Sequence, residues 1–131
     1  MVRIFLVEDN ALMRAQLRTL LEKPDDWSVV GEAENGRGAV DRWKEHKPNV
    51  TVMDFVMPVM DGLEAGRNLS AQHPESPVLM VTIDPSPQLE EEAKRAGIKG
   101  LVQKSDAWSI LKAVEVLIHG GTYFRGKPAA A

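Results

Sequence analysis

The sequence predicts an α/β protein built on a doubly wound, five-stranded parallel sheet with helices on both faces. Three observations carry this expectation. Five short runs rich in Val, Ile and Leu recur along the chain without apolar/polar alternation, the pattern of strands buried on both sides. Segments of helical length and periodicity lie between them, so strand and helix alternate five times. At 131 residues, 44% hydrophobic and 27% charged, the chain is sized for one globular domain that exposes about 7,000 Å² when folded.

Each element has its own local signal. Val2–Val7 is the first predicted strand, and Met13, Leu17, Leu20 and Leu21 then recur at i, i+4, i+7 and i+8 as a helical stripe. Glu8 or Asp9 is placed to cap that helix. Trp27–Val30 is the second strand, and Asn35 is placed to cap a helix that runs through Val40 and Trp43 and stops before Pro48. After the third strand, Val50–Met53, the segment Asp61-Gly-Leu-Glu64 has the capping-box pattern. Val78–Val81 is the fourth strand, followed by Ser86 and Pro87 at N-cap and first-turn positions of a helix that Gly97 terminates. Gly100–Val102 is the fifth strand, and Asp106 caps a last helix ending at Gly120-Gly121. Trp27 and Trp43 read as core, whereas His46, His73 and His119, with no metal-ligand or triad spacing, read as solvent-facing.

Composition excludes several functions. Cysteine is absent, which removes disulfide scaffolds, thiol catalysis and thiolate metal sites. No apolar run reaches the roughly 20 residues of a membrane span. The amino terminus lacks the pattern of a secretory signal, so a cytoplasmic location is expected. A net charge of −3 argues against a chain whose main task is gripping nucleic acid. Gly36 and Gly38 match only a fragment of a nucleotide fingerprint and follow no strand directly.

The chemistry is expected at the carboxyl ends of the strands, where open α/β sheets bind their ligands. Glu8 and Asp9 follow the first strand, Asp54 the third, Thr82 the fourth and Lys104 the fifth. Three carboxylates brought together repel one another unless a cation intervenes. Oxygen ligands without His or Cys suit a hard ion, and Mg²⁺ fits best because it retains waters and phosphate oxygens. A carboxylate beside Mg²⁺ and a Lys can attack a phosphoryl group and form an aspartyl phosphate. Position alone leaves open which acid is the nucleophile.

At these residues the chain resembles the receiver domain of bacterial two-component response regulators. The matching pieces are Leu6-Val-Glu-Asp-Asn10, Met53-Asp-Phe-Val-Met-Pro-Val-Met-Asp-Gly62, Val81-Thr82 and Gly100-Leu-Val-Gln-Lys104, and the likeness covers residues 2–119. It implies a flavodoxin-like sheet of order 2-1-3-4-5. It also implies roles: Asp54 as phosphoacceptor, Asp9 as a direct Mg²⁺ ligand, Glu8 acting through water, and the Val56 backbone carbonyl as a further ligand. Thr82 would be the switch hydroxyl and Lys104 the ion-pair lysine. Residues 1–120 are then the receiver and 121–131 a linker-like tail.

Three departures from the family pattern matter. Leu101 stands where the family usually has Tyr or Phe, so switching needs a different side chain or Leu101 is plain core. Ile83 follows Thr82 where a small residue is usual, and its bulk predicts a slow phosphoryl cycle. Ser105 replaces the frequent Pro, as in receivers joined to LuxR-type helix-turn-helix domains. The segment Ile118-His-Gly-Gly-Thr-Tyr-Phe124 fits that subgroup, and the expectation is a receiver cut from a longer protein.

The resemblance implies a sensor histidine kinase or phosphotransfer protein as partner, a possible homodimer, no membrane, and DNA contact only through an output domain absent from this chain. Leu12, Trp108 and Val116 lie off their helix stripes and are candidate partner surface. The fourth helix has a weak apolar face of Leu89, Ala93 and Ala96, with Glu90, Glu91 and Glu92 expected to be exposed, and reads as a loosely docked element. Enzymatic turnover is not expected: a phosphohydrolase needs a lid and a general acid or base that the sequence does not supply. A docking module without the chemistry is the alternative. FMN binding is opposed by the acids, which repel its phosphate.

Overall fold

The protein is described by a computed structural model that covers residues 1–130 and exposes 6638 Å² of surface. The elements are β1 (Val2–Val7), α1 (Ala11–Leu21), β2 (Trp27–Ala33), α2 (Gly36–His46), β3 (Val50–Asp54) and α3 (Gly62–Gln72). They continue with β4 (Val78–Thr82), α4 (Pro87–Arg95), β5 (Gly100–Gln103), α5 (Ala107–Ile118), β6 (Thr122–Phe124) and β7 (Lys127–Ala129). The sheet order is β2-β1-β3-β4-β5-β6-β7. Its first five strands are parallel in the expected order 2-1-3-4-5.

The absence of alternation in the strand sequences has a direct structural cause. Phe5, Val7, Met53 and Met80 face one layer, formed with Trp43, Ala65, Leu69, Leu89 and Ala93 of α2, α3 and α4. Ile4, Leu6, Val52, Leu79 and Val81 face the other, formed with Leu17, Leu21, Ile110, Val114 and Leu117 of α1 and α5. Both sides of each central strand therefore need apolar residues, and each large one buried stabilises the fold by about 1.5–3 kcal/mol.

The ends of the sheet differ from the sequence expectation. β2 runs on to Ala33 because Gly31 and Glu32 keep pairing with Phe5 and Leu6. As an edge strand, β2 tolerates a charged Glu32, which Arg14 and Arg18 pair. Within the segment read as a linker-like tail, β6 runs parallel to β5 and β7 turns back antiparallel to β6. Tyr123 anchors this hairpin, at 1% exposure, in the layer of α1 and α5.

Helix caps set where the loops stand. Asn10, Asn35, Asp61, Ser86 and Asp106 each accept a hydrogen bond from the backbone N–H three residues on. Asn10, rather than Glu8 or Asp9, caps α1. This frees both acids for the edge of the sheet. Each of the first five strands leads through a loop into a helix, so the helix amino termini and their partial positive charge gather on the carboxyl side of the sheet.

His46 and His73 are half-buried rather than solvent-facing. His73 stacks on Trp43 with ring centroids 3.6 Å apart, and His46 tilts against Phe5 at 5.3 Å. Each uses its flat ring to cover a core aromatic. His119, as expected, is exposed.

Candidate functional site: acids and a lysine at the carboxyl edge

β1 and β3 lie side by side, so the acids that follow Val7 and Met53 arrive together. Carboxylate oxygens of Glu8, Asp9 and Asp54 lie within 4.8 Å of one another. Glu8 and Asp54 are buried, whereas Asp9 is exposed. From β5, Lys104 reaches in to place its Nζ 2.6 Å from Glu8 Oε1 and 3.0 Å from Asp54 Oδ2. One ammonium thus bridges two acids.

The backbone locks this arrangement. Asn10 N–H donates to Glu8 Oε2 at 3.0 Å, and Arg14 donates to the Glu8 carbonyl at 2.8 Å. Lys104 N–H donates to the Thr82 carbonyl at 2.8 Å, which ties the lysine to the end of β4. Phe55 N–H donates to the Val81 carbonyl at 2.9 Å and sets the start of the loop after Asp54.

Burial pushes the Glu8 carboxyl above its ordinary value; hydrogen bonds from Lys104 and Asn10 offset this only in part, and the Asp54 charge adds to it. Burial alone would lower Lys104, but its hydrogen bonds to Glu8 and Asp54 and their charges outweigh that and hold the ammonium above its ordinary value. Lys104 is therefore a fixed cation across the physiological range.

The loop after Asp54 is held tightly. Gly62 N–H donates to the Phe55 carbonyl at 2.7 Å, and a side chain at Gly62 would collide with the Asp54 carbonyl, so only glycine lets α3 start this close. Met60 N–H donates to the Pro58 carbonyl at 2.8 Å across Val59, whose φ of 72° marks a γ-turn that a β-branched residue rarely adopts. Val56 and Val59 point outward, at 68% and 80% exposure. Arg14 is a site-supporting residue that sequence reasoning missed, and Asn10 and Gly62, which end two of the matching motif pieces, had no supporting role assigned to them. The signal was present for Asn10, three residues before the first turn's Met13.

Not all of the remaining predicted residues lie at this edge. Thr82 is buried at the end of β4, one strand from Asp54. Ile83, whose bulk beside Thr82 predicts a slow phosphoryl cycle, stands exposed at the head of the loop to α4. Leu101 is buried in the α2–α4 layer and borders a cavity of about 380 Å³ with Glu90, Tyr123 and Arg125. Leu12 and Trp108 are exposed. Val116 does not join them: it packs partly buried under the turn at Gly121, because the hairpin folds back over the end of α5. Glu90, expected to be exposed, is buried beside Arg125.

A doubly wound parallel sheet with three acids and a lysine at its carboxyl edge defines a class, the receiver domains of signalling proteins. Residues 4–115 match the response regulator receiver domain, and the chain belongs to that family. Transcriptional regulatory protein DegU of Brevibacillus brevis is 30% identical over 127 residues, 96% of this chain and 54% of that protein. Chemotaxis protein CheY of Listeria monocytogenes is 34% identical over 116 residues, 88% of this chain and 97% of that protein. A two-component response regulator of the LuxR family from Aurantimonas sp. SI85-9A1 has a TM-score of 0.90 at 30% identity, covering 94% of this chain and 89% of that one. The chain spans about half the length of DegU and nearly all of CheY. Among the described residues no helix is long and apolar enough to cross a membrane.

Proposed function

We propose that this receiver accepts a phosphoryl group on Asp54 from a sensor histidine kinase or phosphotransfer protein and thereby switches its contacts with an output domain or partner. The observation that supports it is the bridge of Lys104 between Glu8 and Asp54, with Asp9 beside them at the open end of the sheet. An Asp54 oxygen attacks phosphorus, the P–N bond to the donor imidazole breaks, and an acyl phosphate forms. Lys104, already 3.0 Å from Asp54 Oδ2, pairs with a phosphoryl oxygen, and the Thr82 hydroxyl donates to another.

The donor set fits a hard divalent ion: three carboxylates with no nitrogen or sulfur ligand. Asp9, Asp54 and the Val56 carbonyl would hold Mg²⁺, with Glu8 acting through water. Bound there, Mg²⁺ supplies positive charge to the phosphoryl oxygens. The exposed Leu12 and Trp108 are proposed as donor-docking surface. Control of transcription, as the name of DegU suggests, would act through a separate DNA-binding domain, and dimerisation through the receiver is one means of transmitting the switch.

The test is intact mass after incubation with Mg²⁺ and acetyl phosphate. One phosphoryl group is expected on the wild type and none on Asp54→Asn. Equal labelling of both would overturn Asp54 as acceptor, and labelling of neither would favour a docking module without the chemistry. Thr82→Ala is expected to gain the same mass while losing the response of its partner surfaces.

A further inference from the structure

The hairpin of β6 and β7 is joined to α4 by charge. The Arg125 Nε–H donates to Glu90 Oε1 at 2.9 Å, Lys94 approaches the same oxygen at 3.4 Å, and the Lys94 ammonium sits 5.0 Å over the Phe124 ring. Glu90 is only 4% exposed, so its carboxylate depends on these cations for compensation. The turn residues Arg125 and Gly126 both have positive φ, 53° and 67°, as a two-residue hairpin turn requires. Gly suits that position; Arg does not, since the left-handed region is unfavourable for a residue with a Cβ. The guanidinium is what the strained position gains.

α4 has little else to hold it. Its apolar footing is Leu89, Ala93 and Ala96, and beside it lies the cavity of about 380 Å³ bordered by Ser86, Glu90, Leu101, Tyr123 and Arg125. A loop of Ile83–Ser86 joins the end of β4, at Thr82, to the first turn of α4. Glu90 closes that first turn, its N–H donating to the Ser86 carbonyl at 3.0 Å. A displacement at Thr82 thus reaches Glu90 through four loop residues, and the cavity gives α4 room to follow.

We propose that the tip of the hairpin, Phe124–Ala129, is a latch on α4, closed by Arg125 and Glu90 and released when the acidic site takes up a phosphoryl group. Tyr123, buried at 1% exposure, remains the anchor about which the tip turns. This inference rests on the phosphoacceptor reading of Asp54 and names the regulation of that site. Coupling of this kind is reciprocal: what loosens the latch must favour the phosphoryl-bound state by the same factor.

The test uses beryllofluoride with Mg²⁺ as an equilibrium stand-in for the phosphoryl group, its binding followed by fluorine NMR. The Arg125 Nε–H, assigned by its loss in Arg125→Lys, reports the latch through its hydrogen exchange. Saturation with beryllofluoride is expected to speed that exchange by roughly fivefold or more, and Arg125→Ala and Glu90→Gln are each expected to tighten beryllofluoride binding by a matching factor. Binding to the wild type with unchanged Arg125 exchange and unchanged affinity in both variants overturns the latch and leaves Asp54 as acceptor. No binding to the wild type, or equal binding to Asp54→Asn, overturns the acceptor reading and the latch with it.

Discussion

The two ends of the sheet are made from the same strands and solve opposite problems. At the amino end, neutral groups pair with one another: Ser76 Oγ donates to the Pro48 carbonyl at 2.7 Å, and Arg3 N–H donates to Asn49 Oδ1 at 2.7 Å, while the buried His73 Nε2 has no partner among the described residues. His73 lies flat on Trp43 there. At the carboxyl end, two buried acids share one lysine, Val59 holds a strained turn, and Leu12, Val56, Val59, Ile83 and Trp108 are left in solvent. One end closes the fold. The other accepts unfavourable charge, strain and exposed apolar surface where a phosphoryl donor and metal would bind.

Substitutions at each end test that contrast. The largest effect is expected for Lys104→Met, which leaves Glu8 and Asp54 buried without their cation and costs about 3 kcal/mol at neutral pH. Its sign with pH follows from the shifts. Lys104 is held above its ordinary value, so its pairs are intact below that value and are lost as pH rises through the raised one. On the acid side the cost narrows early, because burial makes Glu8 take up a proton at higher pH than a free glutamate. Urea melts of both proteins across the pH range check both limbs.

Ser76→Ala, at the quiet end, is expected to cost about 2 kcal/mol by orphaning the Pro48 carbonyl, and to leave acetyl phosphate labelling of Asp54 unchanged. A labelling defect would break the division between the two ends. Val59→Gly should do the reverse of Ser76→Ala: relief of the left-handed backbone raises stability by about 1 kcal/mol, read as a higher urea midpoint. The smallest effect on stability belongs to Trp108→Ala, within about 0.5 kcal/mol. It should slow phosphoryl transfer from the cognate kinase while sparing acetyl phosphate, and equal rates with both donors would remove Trp108 from the docking surface.

Most of this contrast is written locally in the chain. The buried strands could be read because both faces are apolar, and Asn35, Asp61, Ser86 and Asp106 announced their helices by the hydrogen bonds that short polar side chains make. Glu8, Asp9, Asp54, Thr82 and Lys104 could be placed at one edge because parallel strands put their carboxyl ends together. What stayed hidden depends on residues far apart in sequence. Glu90 looks like one of three exposed acids until Arg125, 35 residues on, covers it. Val116 looks free until Gly121 folds over it. The extent of β2 and the hairpin depended on pairing rather than composition, since Gly, Glu, Lys and Pro are poor strand formers that edge positions tolerate.

The outermost strand has a consequence for crowded solutions. β7 is three residues long and fully exposed, with Pro128, which has no amide hydrogen, at its centre and Lys127 beside it. It covers the side of β6 that would otherwise present open hydrogen-bonding groups, and offers a neighbouring molecule a short, charged, interrupted edge. Sheet-to-sheet growth between copies is disfavoured at this side, so the chain is protected here from associating irreversibly through its backbone.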